Sequence, residues 1–144
     1  MKRLSGLLIL ISALFAVSCK QNTTVSEPEP EAEYFVPEPV YRWGINIDSL
    51  DIVDGVIGRN ELLSTILYRY DVSSQTIYYL EKASQETWSV RKMQSGKPYH
   101  VLRDRDSVAT ARYFVYDINK TDYAGYSLSD SIYSYLGSID VDTV

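Results

Sequence analysis

The spacing of apolar residues changes twice between Ile52 and Leu136, and this limits the fold more than any other feature of the chain. Ile52 to Ile57 is apolar and β-branched around Asp54-Gly55, the composition of a short strand. Leu63, Ile66, Leu67 and Tyr70 then fall at i, i+3, i+4 and i+7, which puts them on one face of a helix beginning near Asn60. Asp71-Val72-Ser73 breaks that pattern. Ser73 or Ser74 is placed to cap a second helix, whose inner stripe is Ile77, Leu80 and Ala83 or Ser84 and whose outer face carries Gln75, Glu81 and Lys82. After a polar loop, Ser95-Gly96-Lys97-Pro98 reads as a turn into a strand at Tyr99.

Beyond Tyr99 the period becomes two. Tyr99–Leu102 and Val108–Tyr116 flank the charged turn Arg103-Asp104-Arg105-Asp106-Ser107, and Tyr123–Leu128 and Ile132–Leu136 flank Ser129-Asp130-Ser131. Tyr126 and Leu128 then share one face, and Tyr133 and Tyr135 another. The fold class expected is α+β, a βααβ unit followed by a small antiparallel β-meander.

The first 42 residues cannot contribute to that core. Lys2-Arg3, an apolar run from Leu7 to Val17 and then Ser18-Cys19 form the layout of a secretory signal, too short for an ordinary membrane span of roughly 30 Å. Ala16-Val17-Ser18-Cys19 resembles the lipobox of bacterial lipoproteins, with Ala16 where leucine is commoner. That resemblance implies removal of residues 1–18 and a lipid on the sulfur of Cys19. Cys19 is the only cysteine, so no intrachain disulfide can form. Lys20 to Thr24 lacks the early acidic cluster of a surface-export signal, so the expected location is the periplasmic face of the outer membrane. Pro28, Pro30, Pro37 and Pro39 alternate with Glu27, Glu29, Glu31, Glu33 and Glu38, so residues 20–41 read as an extended tether reaching at most about 3.1 Å per residue.

Without Lys2 and Arg3 the formal charge moves from −5 to −7, which excludes the clustered cations of a nucleic-acid binder. Tyrosine is over-represented at 13 copies, and most of these suit half-buried strands.

Arg59-Asn60-Glu61-Leu62-Leu63-Ser64-Thr65-Ile66-Leu67, Tyr70-Asp71-Val72-Ser73, Ile77 with Leu80, and Gln94-Ser95-Gly96-Lys97 resemble a divergent LysM module, the βααβ unit that binds N-acetylhexosamine chains. Asn60 and Asp71 stand where that family has glycine, and they are the non-glycine residues that best tolerate positive φ. The resemblance implies a glycan site at Asn60, Glu61, Leu62, Met93, Gln94, Ser95 and Gly96. A wider likeness takes in Trp43-Gly44-Ile45 with Asp48-Ser49-Leu50, Val90-Arg91-Lys92-Met93 with Gly96-Lys97-Pro98-Tyr99, and Arg112-Tyr113-Phe114-Val115-Tyr116. These are similar to the N-terminal region of lysostaphin-type peptidoglycan endopeptidases from Bacteroides-like bacteria. The organisation implied is signal 1–18, tether 19–42, LysM-like module 43–99, meander 100–137 and a polar tail or cut linker 138–144.

Such peptidases need several histidines for zinc, whereas His100 is the single one here and reads as a partly exposed strand residue. Asp104 and Asp106 read as a solvated hairpin tip and not as paired catalytic carboxylates. There is no glycine-rich phosphate loop, and no cofactor is expected. Asp48-Ser49-Leu50, Asp106-Ser107-Val108, Asp130-Ser131-Ile132 and Asp142-Thr143-Val144 resemble O-glycosylation sites of periplasmic proteins, although turn chemistry explains them better.

The expected function is therefore non-catalytic: the cell-wall-facing N-terminal targeting or regulatory part of a peptidoglycan endopeptidase, either cut before its catalytic half or lacking one, meeting peptidoglycan or a cell-wall hydrolase domain. The alternative is a complete periplasmic interaction lipoprotein that binds a protein partner. Oligomeric state is left open. Cys19→Ala is expected to move the chain from the membrane to the soluble periplasmic fraction, because the acidic mature chain has no polybasic substitute for a lipid. Fractionation checks this, and a variant that stays with the membrane contradicts the lipid anchor.

Overall fold

The computed structural model describes residues 35–140, so the signal, Cys19, most of the tether and the last four residues lie outside it. The described chain is α+β with two antiparallel sheets. Strands β1 (Tyr41–Arg42) and β2 (Ile45–Asn46) form a two-stranded hairpin. A five-stranded sheet in the order β3-β4-β5-β6-β7 follows, built from Leu50–Val56, Pro98–Asp104, Ala111–Asp117, Asp122–Ser127 and Ser134–Ser138. Helices α1 (Leu63–Tyr68) and α2 (Ser74–Ser84) are inserted between β3 and β4.

Each helix begins where its sequence chemistry allows. Asn60 sits at φ +59°, incompatible with a helical turn, so α1 starts at Leu63 and not near Asn60. Asp71 has the same φ and ends the first helical segment, so both residues take the glycine-like conformation that the sequence suggested. Ser73 is the cap of α2, accepting from the Thr76 amide at 3.1 Å. In the α2 stripe Ser84 and not Ala83 is the buried residue; its hydroxyl donates to the Glu81 carbonyl at 2.7 Å and accepts from the Val90 amide at 3.2 Å. The polar loop after α2 contains a 3₁₀ turn at Val90–Lys92.

Both faces of the large sheet are covered. Ile66, Leu67 and Leu80 from the helices pack with Tyr99, Val101, Phe114, Tyr116, Ala124 and Tyr126 on one face. On the other, Trp43 and Ile45 of the hairpin pack with Leu50, Leu102, Val115 and Tyr123. Strand β4 runs from Pro98 to Asp104, through the expected module boundary at residues 99 and 100, so the βααβ unit and the meander share one sheet. At the other expected boundary, Tyr41 and Arg42 belong to a strand and not to the tether.

Loop chemistry sets the strand ends that differ from the sequence reading. Val108 lies outside β5, because the Asp106 carboxylate accepts from the Val108 and Ala109 amides at 3.1 and 2.8 Å while Ala109 is at φ +51°. That is the local turn bonding expected of an Asp-Ser pair. Asp104 is not a free tip residue. Arg112 donates to it through Nε at 2.8 Å, and that hydrogen bond holds its carboxyl below the usual range.

Glycine and tyrosine are matched across the strands. Gly55 pairs with Tyr99, Gly125 with Tyr135 and Gly137 with Tyr123, and a methyl group at any of these glycines would collide with the partner's ring. Each ring lies over the bare backbone opposite it, restoring the contact area a strand glycine lacks. Tyr135 is also fixed by donating to the Trp43 carbonyl at 2.9 Å, so its ring cannot swing aside freely. Gly125→Ala is therefore expected to destabilise the domain by about 1–3 kcal/mol through overpacking. Urea unfolding measures this, and an unchanged midpoint would contradict the ring-on-glycine contact.

Candidate functional site

A groove of about 270 Å³ opens between the start of α1, the middle of α2 and the 3₁₀ turn, lined by Leu62, Leu63, Ser64, Ile77, Glu81, Val90 and Arg91. Its walls follow from the helix geometry. Leu62 occupies the N-cap position of α1, where its side chain cannot accept a hydrogen bond, and it stays exposed at the groove mouth. Ile77 and Val90 supply apolar wall, while Arg91 donates to Glu81 through Nε at 2.7 Å and forms the polar rim. The result is a shallow apolar cleft edged by a donor and an acceptor.

Of the seven residues expected to bind glycan, Leu62 alone lines this groove. Asn60 is exposed at the turn before it. Glu61 is part-buried and engaged: its carboxylate accepts from the Gly58 amide at 2.7 Å and pairs with Arg69 at 2.8 Å, and Arg69 in turn donates to the Tyr99 hydroxyl at 3.1 Å. Met93 packs against the helix-side core. Gln94, Ser95 and Gly96 are exposed, with the Gln94 amide on the Tyr116 hydroxyl at 3.2 Å and Gly96 at φ +82°. The two loops meet through Ile57, whose carbonyl accepts from the Gly96 amide at 2.8 Å and whose amide donates to the Lys97 carbonyl at 3.0 Å. Leu62 ends the first loop and Arg91 lies two residues before Met93 at the start of the second, and both line the groove, so the two loops adjoin the cleft.

The sequence pattern predicts a partly exposed strand residue at His100; in the structure it is buried, 9% exposed. Its Nδ1 lies 2.6 Å from Asp54 Oδ1 and its Nε2 lies 3.1 Å from Asp117 Oδ2. The Trp43 ring stacks on it at 4.3 Å. No local signal reveals this cluster, because it depends on β3, β4 and β5 pairing in register; only the direct Asp54–His100 pairing would have suggested it. The carboxylates sit on opposite ring nitrogens and so do not converge on one ion. Among the described residues, no group of three or more His, Cys, Asp or Glu side chains is arranged to hold a metal ion.

Neither a protein-family model nor a curated protein matches the sequence. Among solved structures, a zinc-containing peptidase from Vibrio cholerae is similar, with a TM-score of 0.52 and 13% identity. The likeness covers 60% of this chain and only 27% of the peptidase. At that identity it is a likeness of fold alone.

Proposed function

We propose that the protein is a non-catalytic, cell-wall-facing lipoprotein module that targets or regulates a peptidoglycan endopeptidase, with its helical unit acting as a LysM-like glycan reader. In this reading Cys19 carries the lipid on the periplasmic face of the outer membrane. The Pro/Glu-rich stretch spans the distance to the cell wall, and the partners are peptidoglycan or a cell-wall hydrolase domain.

The observation that carries the proposal is the cleft at Leu62, set on a βααβ arrangement in which β3 and β4 are neighbours and both loops adjoin the cleft. The fold shared with a stretch of a zinc-containing peptidase supports the link to peptidase architecture. N-acetyl groups need an apolar surface for the methyl and polar groups for the amide, and hydroxyls need partners at the rim. Leu62, Ile77 and Val90 offer the first, and Arg91, Glu81 and the exposed Gln94-Ser95-Gly96 backbone offer the second. Asn60, Glu61 and Met93 shape the two loops and are assigned that supporting role.

Binding through so open a cleft is weak. Well-hydrated hydroxyls gain few replacement contacts and association freedom is lost, so a short chitin-like oligomer should bind with a Kd of about 10 μM to 1 mM, without any effect of zinc. Titrating the oligomer while following backbone amide shifts tests this: shifts are expected at Leu62–Ser64 and Val90–Gly96. Shifts confined to the meander, or none at millimolar sugar, would contradict the glycan reading and favour a protein partner.

A further inference from the structure

The five-stranded sheet ends in two edges, β3 and β7, and they are protected to very different degrees. On β3, Asp51 and Asp54 present charged side chains that are at least half exposed, and Arg105 reaches Asp51 at 3.3 Å. Charges of this kind are a common defence of an edge against pairing with another chain. Strand β7, Ser134-Tyr135-Leu136-Gly137-Ser138, has neither a charge nor a proline.

Register decides which way the backbone of β7 points. The Ser127 amide donates to the Tyr133 carbonyl and the Ile139 amide to the Thr121 carbonyl, so the odd-numbered residues of this segment bond to the β6 side. Ser134, Leu136 and Ser138 therefore direct N–H and C=O away from the sheet, and among the described residues no hydrogen bond engages those backbone groups. Their side chains meanwhile anchor the strand to its own domain: the Ser134 hydroxyl donates to the Ala83 carbonyl and the Ser138 hydroxyl to Asp122, each at 2.7 Å. Tyr133, Leu136 and Ile139 stay about half exposed along this edge. Tyr133 and Ile139 lie symmetrically about Leu136 in the sequence, and so do the two serines.

We propose that β7 is a self-pairing edge, through which two copies of this chain join as a two-fold dimer with antiparallel β7 strands and Leu136 facing Leu136 of the second copy. A two-fold interface must be complementary to itself, and this segment is. In that register Ser134 faces Ser138 of the second copy, and each outward-facing pair exchanges two N–H···O=C bonds. Tyr133 falls opposite Ile139 of the second copy and Leu136 meets its twin, so each exposed apolar residue of the segment gains an apolar neighbour. Asp140, the nearest charge along the strand, falls opposite Ile132 of the second copy, so no like charges meet. Sliding the strands by two residues sets Leu136 against a serine, which favours the symmetric register. Leu136 also lines a hollow of about 330 Å³ with Trp88 and Ile118, apolar space at the same edge. No residue of β7 lines the glycan cleft, so the two proposals stand or fall separately.

An interface one strand wide belongs to the small, weak class, so dimers should appear at about 10–100 μM. Sedimentation equilibrium of the soluble Cys19→Ala chain should show monomers giving way to dimers in that range. Leu136→Lys and Leu136→Glu, at a position exposed enough for both variants to fold, should each stay monomeric because like charges meet at the two-fold axis. Mixed in equal amounts, the two variants should associate again, since opposite charges then face each other. In the unaltered strand, solvent exchange of the Leu136 amide should slow as concentration rises. A chain that stays monomeric throughout would leave the edge to some other polypeptide and overturn the proposal. So would association that runs past the dimer, a dimer indifferent to Leu136→Lys, a Leu136 amide whose exchange ignores concentration, or a mixture that stays monomeric while both variants keep the parent's far-UV circular dichroism.

Discussion

The pairing of β3 with β4 is the constraint on which the other features depend. The strands run antiparallel from Leu50 opposite Asp104 to Val56 opposite Pro98, and residues 57–97 must close between them. Closing so long a loop costs chain entropy that grows only slowly with length, and the sheet contacts must offset it. They do so most visibly at Gly55, where the Tyr99 ring lies over the bare backbone. From Tyr99 the constraint passes outward: its hydroxyl accepts from Arg69, Arg69 pairs with Glu61, and Glu61 caps the Gly58 amide. The loop that leads into α1 is thus tied to the centre of the sheet by side chains, and the cleft at Leu62 inherits its position from that chain of contacts.

The same sheet explains the tyrosine content. Three strand glycines each face a tyrosine across the ladder, and a fourth ring, Tyr126, anchors the loop after α2 by donating to the Trp88 carbonyl at 2.6 Å. Burial pushes that hydroxyl far above its ordinary range, so it remains a donor at every physiological pH. Most tyrosines on the sheet therefore serve its packing. Tyr68, Tyr78 and Tyr79 are the contrasting set, exposed on the helices, with Lys82 over the Tyr78 ring.

Signals that act within a few residues were legible in the sequence. The i, i+3, i+4 stripe located Ile66 and Leu67 in the core, the serine before α2 proved to be its cap, and Asn60 and Asp71 adopt the positive φ for which their side chains suit them. Legibility stopped where structure depends on partners distant in sequence. Strands β5 and β7 begin later than their apolar residues suggested, because Val108 is claimed by the Asp106 turn and the Tyr133 carbonyl pairs with the Ser127 amide at the hairpin mouth. The hairpin at Trp43-Gly44 was hidden because tryptophan is a poor advertisement for a left-handed turn, and its reason lies in His100, on a strand more than fifty residues away. At the candidate site, backbone bonds from Ile57 to Gly96 and Lys97 join the two loops, and the groove's walls at Ile77, Glu81, Val90 and Arg91 come from helix packing that no spacing rule reveals.

One sheet thus carries two features: the helices on one face form a shallow cleft, and the other face carries the β1–β2 hairpin. The cleft is the part on which the proposed role rests. Cosedimentation of the soluble chain carrying Cys19→Ala with purified peptidoglycan tests it most directly. The chain should pellet with the polymer, and Leu62→Asp, at an exposed position, should return it to the supernatant without loss of fold. A chain that remains in the supernatant with peptidoglycan in excess, or one whose pelleting is indifferent to Leu62→Asp, would contradict the assignment of the cleft as a cell-wall reader.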